Sequence, residues 1–377
     1  MISCHIITIG DELLIGQTID TNSAWMAKEL NKLGIHIYRK TTVSDDREDI
    51  LKIFKEASAS SEIVLVTGGL GPTQDDITKD CLCEFYSSKL IEDKNVLAHI
   101  ADYFKRNNRK ILDVNIQQAL IPTNATALHN AMGTAPALLF EENNKLLCAM
   151  PGVPYEMKYI MENHILPRIK KQYKLDPILH ETLVTIGRGE SYIADALSEI
   201  ENSLPSEISL AYLPSFGMVR LRLSSTANIK EELMCFKDKI SAKLEDIVIA
   251  SQDLKPEEIV LSHLMKKDKS LVIIDLLTEG RLYYKFWTLD RKCPVTESFI
   301  EEELLPDEVI KYSHSIRKKS KADIAMLIKQ KSEHEFQLII VAAEGEVEHS
   351  IPLKIRYPKP IELCMNYALK HLINFLK

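Results

Sequence analysis

The chain has 377 residues, of which 45% are hydrophobic and 27% charged, so it is long enough for two or three globular domains. Its formal net charge of −7 excludes a general electrostatic attraction to nucleic acid or to an anionic membrane. The seven cysteines are scattered, with no disulfide framework or zinc-site spacing, and no apolar run resembles a signal peptide or a membrane span. We therefore expect a cytoplasmic protein with no membrane partner.

The N-terminal part of the chain alternates strand patterns with helix patterns. Runs of β-branched and apolar residues predict strands at 4–9, 35–43 and 63–66, and apolar residues at helical spacing predict helices at 25–33 and 50–57. Another helix is predicted at 96–104, two strands at 137–140 and 146–150, and a last helix at 155–169. Because strands separated by helices need crossover connections, we predict a three-layer α/β domain with a mainly parallel sheet at residues 1–170.

Two smaller domains are predicted after this one. Residues 176–252 form a compact α+β unit, with strands at 182–186 and 218–224 and helices at 193–200 and 231–244. Residues 256–377 alternate again, with strands predicted at 271–276, near 283–287, at 336–343 and at 350–355, and a final helix that ends at 376. We predict an α/β fold for this C-terminal domain.

A glycine-rich loop follows the third predicted strand. Thr67, Gly68, Gly69 and Gly71 lie between a buried strand and a helix, where backbone N–H groups can approach an anion at the positive end of the helix dipole. The spacing matches neither a P-loop nor Gly-x-Gly-x-x-Gly. An alternative needs no ligand: Thr73 to Asp76 fits a capping box, in which Thr73 caps the helix and Asp76 bonds back to it.

Carboxylates follow each of the first three predicted strands, at what should be one edge of the sheet. They are Asp11, Glu12, Asp20, Asp45, Asp46, Asp75 and Asp76, with Asn22 beside them. Each acid alone can be a helix cap or a solvated turn. Carboxylates beside an anion-binding loop would repel the anion unless a divalent cation or a basic partner lay between them.

Several segments occur in the order that one known family uses, and their ranges are 10–16, 20–22, 43–46, 67–78, 130–136 and 151–157. Together they resemble the CinA family, the competence/damage-inducible proteins. The resemblance implies a molybdopterin-binding-like fold, a homodimer and metal-dependent ADP-ribose pyrophosphatase activity. Under this hypothesis Asp76, Asp46 and Asp45 are catalytic, and Asp76 with Asp46 holds Mg²⁺, Mn²⁺ or Co²⁺. The implied ligand-binding residues are Gly10, Asp11, Glu12, Asn22, Thr67, Gly68, Gly69, Gly71, Asp75, Gly133 and Gly152.

The resemblance continues beyond residue 170. Segments 185–191 and 219–223 are similar to the KH-type domain of these proteins, but Gly187-Arg188-Gly189 is not the Gly-x-x-Gly clamp for RNA, so we expect a scaffold or dimer contact and no nucleic-acid partner. In family members with nicotinamide-mononucleotide deamidase activity, the C-terminal region carries a serine nucleophile, and the corresponding position here is Leu276. A second family loop aligns near 326–331 without its glycines. We expect the C-terminal fold to be retained and its deamidase activity to be lost.

Three hypotheses follow for the N-terminal domain. The first is hydrolysis of ADP-ribose to AMP and ribose 5-phosphate. The second is a non-catalytic scaffold or sensor that binds a pterin or nucleotide. The third, adenylyl transfer to molybdopterin, is disfavoured because the additional domains resemble CinA proteins and not the cofactor enzymes.

Overall fold

The computed structural model describes residues 2–176, 178–225, 229–298, 308–352 and 361–377. The chain divides into two compact units, Met1–Ile178 and Leu179–Lys377. We refer to them as unit 1 and unit 2 and describe each separately.

Unit 1 contains eight strands and eight α-helices among its described residues. In chain order they are β1 (Ser3–Ile9), α1 (Asp11–Leu14), α2 (Thr21–Lys32), β2 (His36–Val43), α3 (Arg47–Ser60), β3 (Ile63–Thr67), α4 (Thr78–Phe85), β4 (Leu90–Glu92), α5 (Lys94–Arg106), α6 (Asp113–Ile116), β5 (Leu120–Pro122), β6 (Thr126–Leu128), β7 (Ala137–Glu142), β8 (Lys145–Met150), α7 (Pro154–Ile160) and α8 (Leu166–Gln172). One 3₁₀ turn, Gln117–Ala119, precedes β5, and one π-helical turn, Met161–Ile165, joins α7 to α8.

The main sheet of unit 1 has six strands in the order β2-β1-β3-β8-β7-β6. The first four are parallel, with Cys4 opposite Ile63 and Ile63 opposite Leu146, whereas β7 pairs antiparallel with both β8 and β6. Each face of the sheet carries its own buried apolar cluster, one containing Met26 and Leu30 and the other Phe54 and Leu82. Burial of both faces explains the continuous apolar strands. The predicted α/β fold with a mainly parallel sheet is confirmed.

Unit 2 contains nine strands and six helices in the ranges that the structure describes. In chain order they are β9 (Leu179–Ile186), α9 (Glu190–Asn202), β10 (Ile208–Ser215), β11 (Met218–Ser225), α10 (Lys230–Lys243), β12 (Val248–Ala250), α11 (Pro256–Lys266), β13 (Leu271–Leu276), α12 (Arg281–Leu289), β14 (Val295–Ser298), α13 (Val309–Lys319), β15 (Ile324–Ser332), β16 (Glu335–Val341), β17 (Glu346–Pro352) and α14 (Ile361–Leu376).

Two sheets organise unit 2. The first has the order β10-β11-β9-β12 and is antiparallel throughout, and one of its faces forms a buried cluster with α9 and α10 that contains Leu183, Ile193 and Phe236. The second has the order β14-β13-β15-β16-β17, with β13 parallel to its two neighbours and the remaining pairs antiparallel. The sequence therefore predicted a small α+β domain and a sheet-containing C-terminal domain correctly in kind.

Several segments of unit 2 differ from the sequence-based predictions. Residues 283–287, predicted as a strand, lie in α12, because Leu282 and Phe286 are buried four residues apart while Tyr284 is exposed, which is a helical period. Strand β10 was missed, and residues 326–331, aligned with a family loop, lie in β15. The strand predicted at 350–355 ends at Pro352, and residues 353–355 lie outside the described ranges.

Candidate functional site

The glycine loop of unit 1 has a backbone that only glycine adopts easily. Gly68 has φ 112 and Gly69 has φ 65. A Cβ on Gly68 would lie 2.2 Å from the carbonyl oxygen of Ile9, and one on Gly69 would lie 2.1 Å from Oγ1 of Thr78. The Thr78 hydroxyl donates to the Gly68 carbonyl at 3.0 Å and so fixes the loop against the start of α4.

This loop also presents free donors. Within the described residues, the backbone N–H groups of Gly69, Leu70 and Gly71 have no hydrogen-bond acceptor. They follow the carboxyl end of β3 and precede α4, which is where an open α/β sheet places an anion. The loop therefore has the donors that a phosphate group requires.

The predicted capping box at Thr73 is wrong in position. The Asp76 carboxylate accepts a hydrogen bond from the Thr73 N–H, as in a capping box, but the Thr73 hydroxyl donates to the same carboxylate where a capping box would have it accept from the Asp76 N–H, and α4 begins only at Thr78. The residues form a turn closed by a bond from the Asp76 N–H to the Thr73 carbonyl at 3.2 Å. A Cβ on Gly71 would lie 2.4 Å from Asp76 Oδ2, so Gly71 leaves room for this carboxylate.

A cavity of about 470 Å³ lies at the carboxyl ends of β1 and β3 and contains most of the predicted site. The predicted residues that line it are Gly10, Glu12, Asn22, Asp45, Thr67, Gly68, Gly69, Gly71, Asp75, Asp76 and Gly152. Asp20 and residues that the sequence analysis did not assign to the site also line it, among them Thr134, Ala135, Gln118 and Glu156. The structure therefore brings together the glycine loop and the acidic loops, as the parallel topology implied.

Three predicted residues lie outside the cavity wall. Asp46 is the N-cap of α3, and its Oδ1 accepts from the N–H groups of Glu48 and Asp49 at 2.9 and 3.1 Å. Oδ1 of Asp46 thus caps the helix, and Asp46 is not among the residues that line the cavity; that Asp46 holds a metal with Asp76 stays a prediction. Asp11 begins α1, and Gly133 lies against the carboxyl group of Glu156.

Asp45 is the acid after β2 that does face the cavity. Its Oδ2 accepts from the backbone N–H of Asp11 at 3.1 Å. Burial, together with the negative charges of Asp11, Glu12 and Asp75, raises the pKa of Asp45 above its ordinary range. Like charges that face one another across a cavity favour a bound cation or a proton.

The inner end of the cavity is polar and buried. Asn22 donates from Nδ2 to the Gly152 carbonyl at 2.7 Å and to Thr67 Oγ1 at 3.2 Å. The Thr67 hydroxyl in turn donates to the Pro151 carbonyl at 2.9 Å. These bonds tie the end of β3 to the loop after β8, and they give Thr67, Asn22 and Gly152 structural roles at the cavity wall.

The C-terminal site suggested by the family resemblance lies at the end of β13 and in the loop that follows it. Leu276 ends β13 and is 40% exposed. The preceding Asp275 carboxylate accepts from the N–H groups of Leu277, Thr278 and Gly280 at 3.0, 2.7 and 3.1 Å, and from the Thr278 hydroxyl. The loop is thus closed on an internal carboxylate, which already occupies these three N–H groups.

In the part of the chain that the structure describes, no helix is long and apolar enough to cross a membrane.

Unit 2 places Gly187-Arg188-Gly189 between β9 and α9, with the Arg188 guanidinium 4.7 Å from the centre of the Tyr192 ring. Arg188 thus forms a cation–π contact with a residue of the following helix, α9.

Two regions of the chain match models of known protein families. Residues 5–171 match the family described as "Probable molybdopterin binding domain", and residues 180–250 match the "Damage-inducible protein CinA KH domain". A CinA-like protein of Flavobacterium psychrophilum is 42% identical over 272 residues, which are 70% of this chain and 64% of that protein. The chain thus spans just under two thirds of this relative.

A longer match covers most of both chains. A competence-damage inducible protein of Caldicellulosiruptor saccharolyticus is 34% identical over 347 residues, which are 85% of this chain and 84% of that protein. Among solved structures, the CinA protein of Thermoplasma acidophilum is 31% identical, with a TM-score of 0.40, and the match covers 45% of this chain and 96% of that one. The chain belongs to the CinA family.

Proposed function

We propose that unit 1 hydrolyses a nucleoside diphosphate with the help of a divalent cation, and that the substrate is ADP-ribose, cleaved to AMP and ribose 5-phosphate. The observation that carries this proposal is the shared cavity, in which the donors of the glycine loop face a group of carboxylates. A neutral ligand would need neither the donors nor the acids. A diphosphate bridged by a cation uses both.

The donor set fits a hard divalent cation that is bound partly by its substrate. Six carboxylates line the cavity: Glu12, Asp20, Asp45, Asp75, Asp76 and Glu156. Across the described ranges, no three His, Cys, Asp or Glu side chains are grouped as a protein-only metal site. Mg²⁺ and similar ions commonly take one or two carboxylates and complete their shell with water and phosphate oxygens. Asp45 and Asp76 are the side chains we assign to the cation, in place of Asp46.

Each part of the cavity has a task in this reaction. The N–H groups of Gly69, Leu70 and Gly71 hold the diphosphate oxygens, and the Thr73 donors hold the Asp76 carboxylate in one orientation. A divalent cation would neutralise charge that develops on the diphosphate. The oxygen of a water molecule bonds to one phosphorus, the bridging P–O bond breaks, and the second phosphate leaves with the bridging oxygen. Another carboxylate of the cavity wall takes the water's proton.

The decisive experiment incubates the full-length protein with ADP-ribose and Mg²⁺, Mn²⁺ or Co²⁺, and measures AMP by chromatography. We expect AMP with at least one metal, and a rate about 100-fold lower in Asp76→Asn. Asp80→Asn is the matched control, because Asp80 is an exposed acid in the first turn of α4. Equal rates in the two variants would remove Asp76 from the mechanism.

A second candidate is a non-catalytic scaffold or sensor that binds a pterin or nucleotide at the same cavity. The lack of a protein-only metal group among the described residues is the observation that favours it. Binding of ADP-ribose with no AMP, over all three metals and over pH 6 to 9, would establish this function instead.

For the C-terminal domain we propose that deamidase activity is lost. Leu276 offers no nucleophile, and the buried Thr278 hydroxyl is bonded to Asp275. Homodimerisation stays a prediction from the family resemblance, and it is checked by light scattering of the purified chain.

A further inference from the structure

Asn22, Gln118, Thr134, Ala135 and Glu156 all line the cavity, and we call this part of its wall the inner subsite because its polar side chains are buried. Its three longest polar side chains are more than nine-tenths buried, with Gln118 7% exposed and both Asn22 and Glu156 8% exposed. Polar side chains are buried at a cost unless they find partners. We therefore consider which hydrogen-bond partners these three side chains have.

Two acceptor atoms of the inner subsite lack a donor. Within the described residues, Oδ1 of Asn22 and Oε1 of Gln118 are buried and accept no hydrogen bond. The orientation of Asn22 is set independently, because its Nδ2 already donates to the Gly152 carbonyl and to Thr67 Oγ1. A buried acceptor at a cavity wall, with its amide partner engaged elsewhere, calls for a donor from the cavity.

Glu156 adds a carboxyl group to the same wall. Its Oε2 accepts from Asn130 Nδ2 at 2.6 Å, and Asn130 also donates to the Ala135 carbonyl at 2.9 Å. A Cβ on Gly133 would lie 2.2 Å from Glu156 Oε2, so the Glu156 carboxyl group lies directly against the backbone of Gly133. The described residues give Glu156 no cationic partner, and burial raises the pKa of its carboxyl group.

We infer that the inner subsite binds the donor-bearing end of the ligand, with Gln118, Asn22 and Glu156 as hydrogen-bond acceptors. This inference rests on the proposed function, in which the diphosphate lies at the glycine loop and the rest of the nucleotide extends inward. The donors are either the amino group of the heterocycle or the hydroxyls of a sugar. Both chemistries present N–H or O–H groups to the three acceptors. Gln118, Asn22 and Glu156 are thereby specificity residues, and none of them is placed in the bond-breaking step.

The test is calorimetric titration of the full-length protein in Mg²⁺ at 4 °C with three probes: ADP-ribose, its hypoxanthine analogue IDP-ribose, and 2′-deoxy-ADP-ribose. Each ligand is recovered afterwards and checked for cleavage. If the heterocycle amine is the donor, ADP-ribose binds about tenfold more tightly than IDP-ribose. If a sugar hydroxyl is the donor, IDP-ribose equals ADP-ribose and the deoxy analogue is the weaker ligand.

Variants connect the selectivity to the named residues. Gln118→Leu and Glu156→Gln should each weaken ADP-ribose binding about tenfold and reduce the selectivity. Gln117→Leu and Glu162→Gln are matched controls, because both side chains are exposed and neither lines the cavity. Circular dichroism shows whether each variant is folded, and the comparison of probes on the wild type needs no variant.

The inference is overturned if the wild type binds all three probes with one affinity, if it binds none of them, or if folded Gln118→Leu and Glu156→Gln both bind as the wild type does. Its failure differs from failure of the proposed function. Selective binding without AMP formation refutes hydrolysis and supports the inner subsite, whereas AMP formation without selectivity does the reverse.

Discussion

Replacement of Gly68 by alanine tests whether the glycine loop depends on its backbone geometry. Gly68 has φ 112, and its added Cβ would lie 2.2 Å from the carbonyl oxygen of Ile9, at the end of β1. The oxygen belongs to the backbone of β1, so no flexible side chain can move aside. Backbone strain costs about 1–3 kcal/mol, and overpacking costs about 1–3 kcal/mol more. We expect a total loss of about 3 kcal/mol in the free energy of unfolding of unit 1.

Calorimetry of the full-length protein measures this loss. For a unit of this size, 3 kcal/mol corresponds to a fall in Tm of about 6–12 °C. Gly152→Ala is the matched control, because its Cβ would be 3.5 Å from the Gly68 Cα, an ordinary contact. We expect that control to change stability by less than about 0.5 kcal/mol. A Gly68→Ala protein as stable as Gly152→Ala would refute the argument from loop geometry.

Three further predictions concern other parts of the chain. Burial raises the pKa of the Glu156 carboxyl group above 4.5, so its contribution to stability is present below that pH and is lost as the pH rises through its folded pKa. Replacement by the neutral Glu156→Gln should therefore raise Tm, relative to the wild type, most at pH 7 and least near pH 4.5. Thermal unfolding of both proteins over that pH range measures the difference. Asn366→Ala removes the 2.8 Å bond to the Phe216 carbonyl inside unit 2 and should cost about 1–2 kcal/mol, measured by urea unfolding; an unchanged midpoint would contradict it. Wild-type protein incubated with nicotinamide mononucleotide should release no ammonia in a coupled assay, because the family resemblance aligns Leu276 with the nucleophile; measurable release would contradict this proposal.

The sequence predicted the sheet of unit 1 well because its strands have a distinctive composition. Ile63 to Val66 is apolar at every position, and the structure buries this strand on both faces. The same period-based reasoning failed at residues 283–287, where aromatic residues favour a strand locally but the burial of Phe286 against the core of unit 2 imposes a helix. Tertiary packing therefore determines the secondary structure of residues 283–287, and such packing cannot be derived from the five residues alone.

The sequence predicted those residues of the candidate site that directly follow the ends of the strands. Asp45 and Asp46 are adjacent acids after one strand, and nothing in the local pattern distinguishes the helix cap from the cavity residue. Glu156 was missed although it lies in a segment that resembles the family, because its burial depends on the distant loop that carries Asn130 and Gly133. Gln118 carries no local motif, and only the fold brings it to the cavity.

The Asp275 carboxylate has a consequence for any attempt to convert this chain into a deamidase. It accepts hydrogen bonds from three N–H groups of the loop between β13 and α12, which are then closed to an external oxyanion. An external anion would have to compete with this carboxylate, which is part of the same loop, for those N–H groups. A serine introduced at position 276 would gain a nucleophile next to an anion hole that is already filled. Removal of Asp275 would have to come first, and the loop would then lose the bonds that now hold it closed.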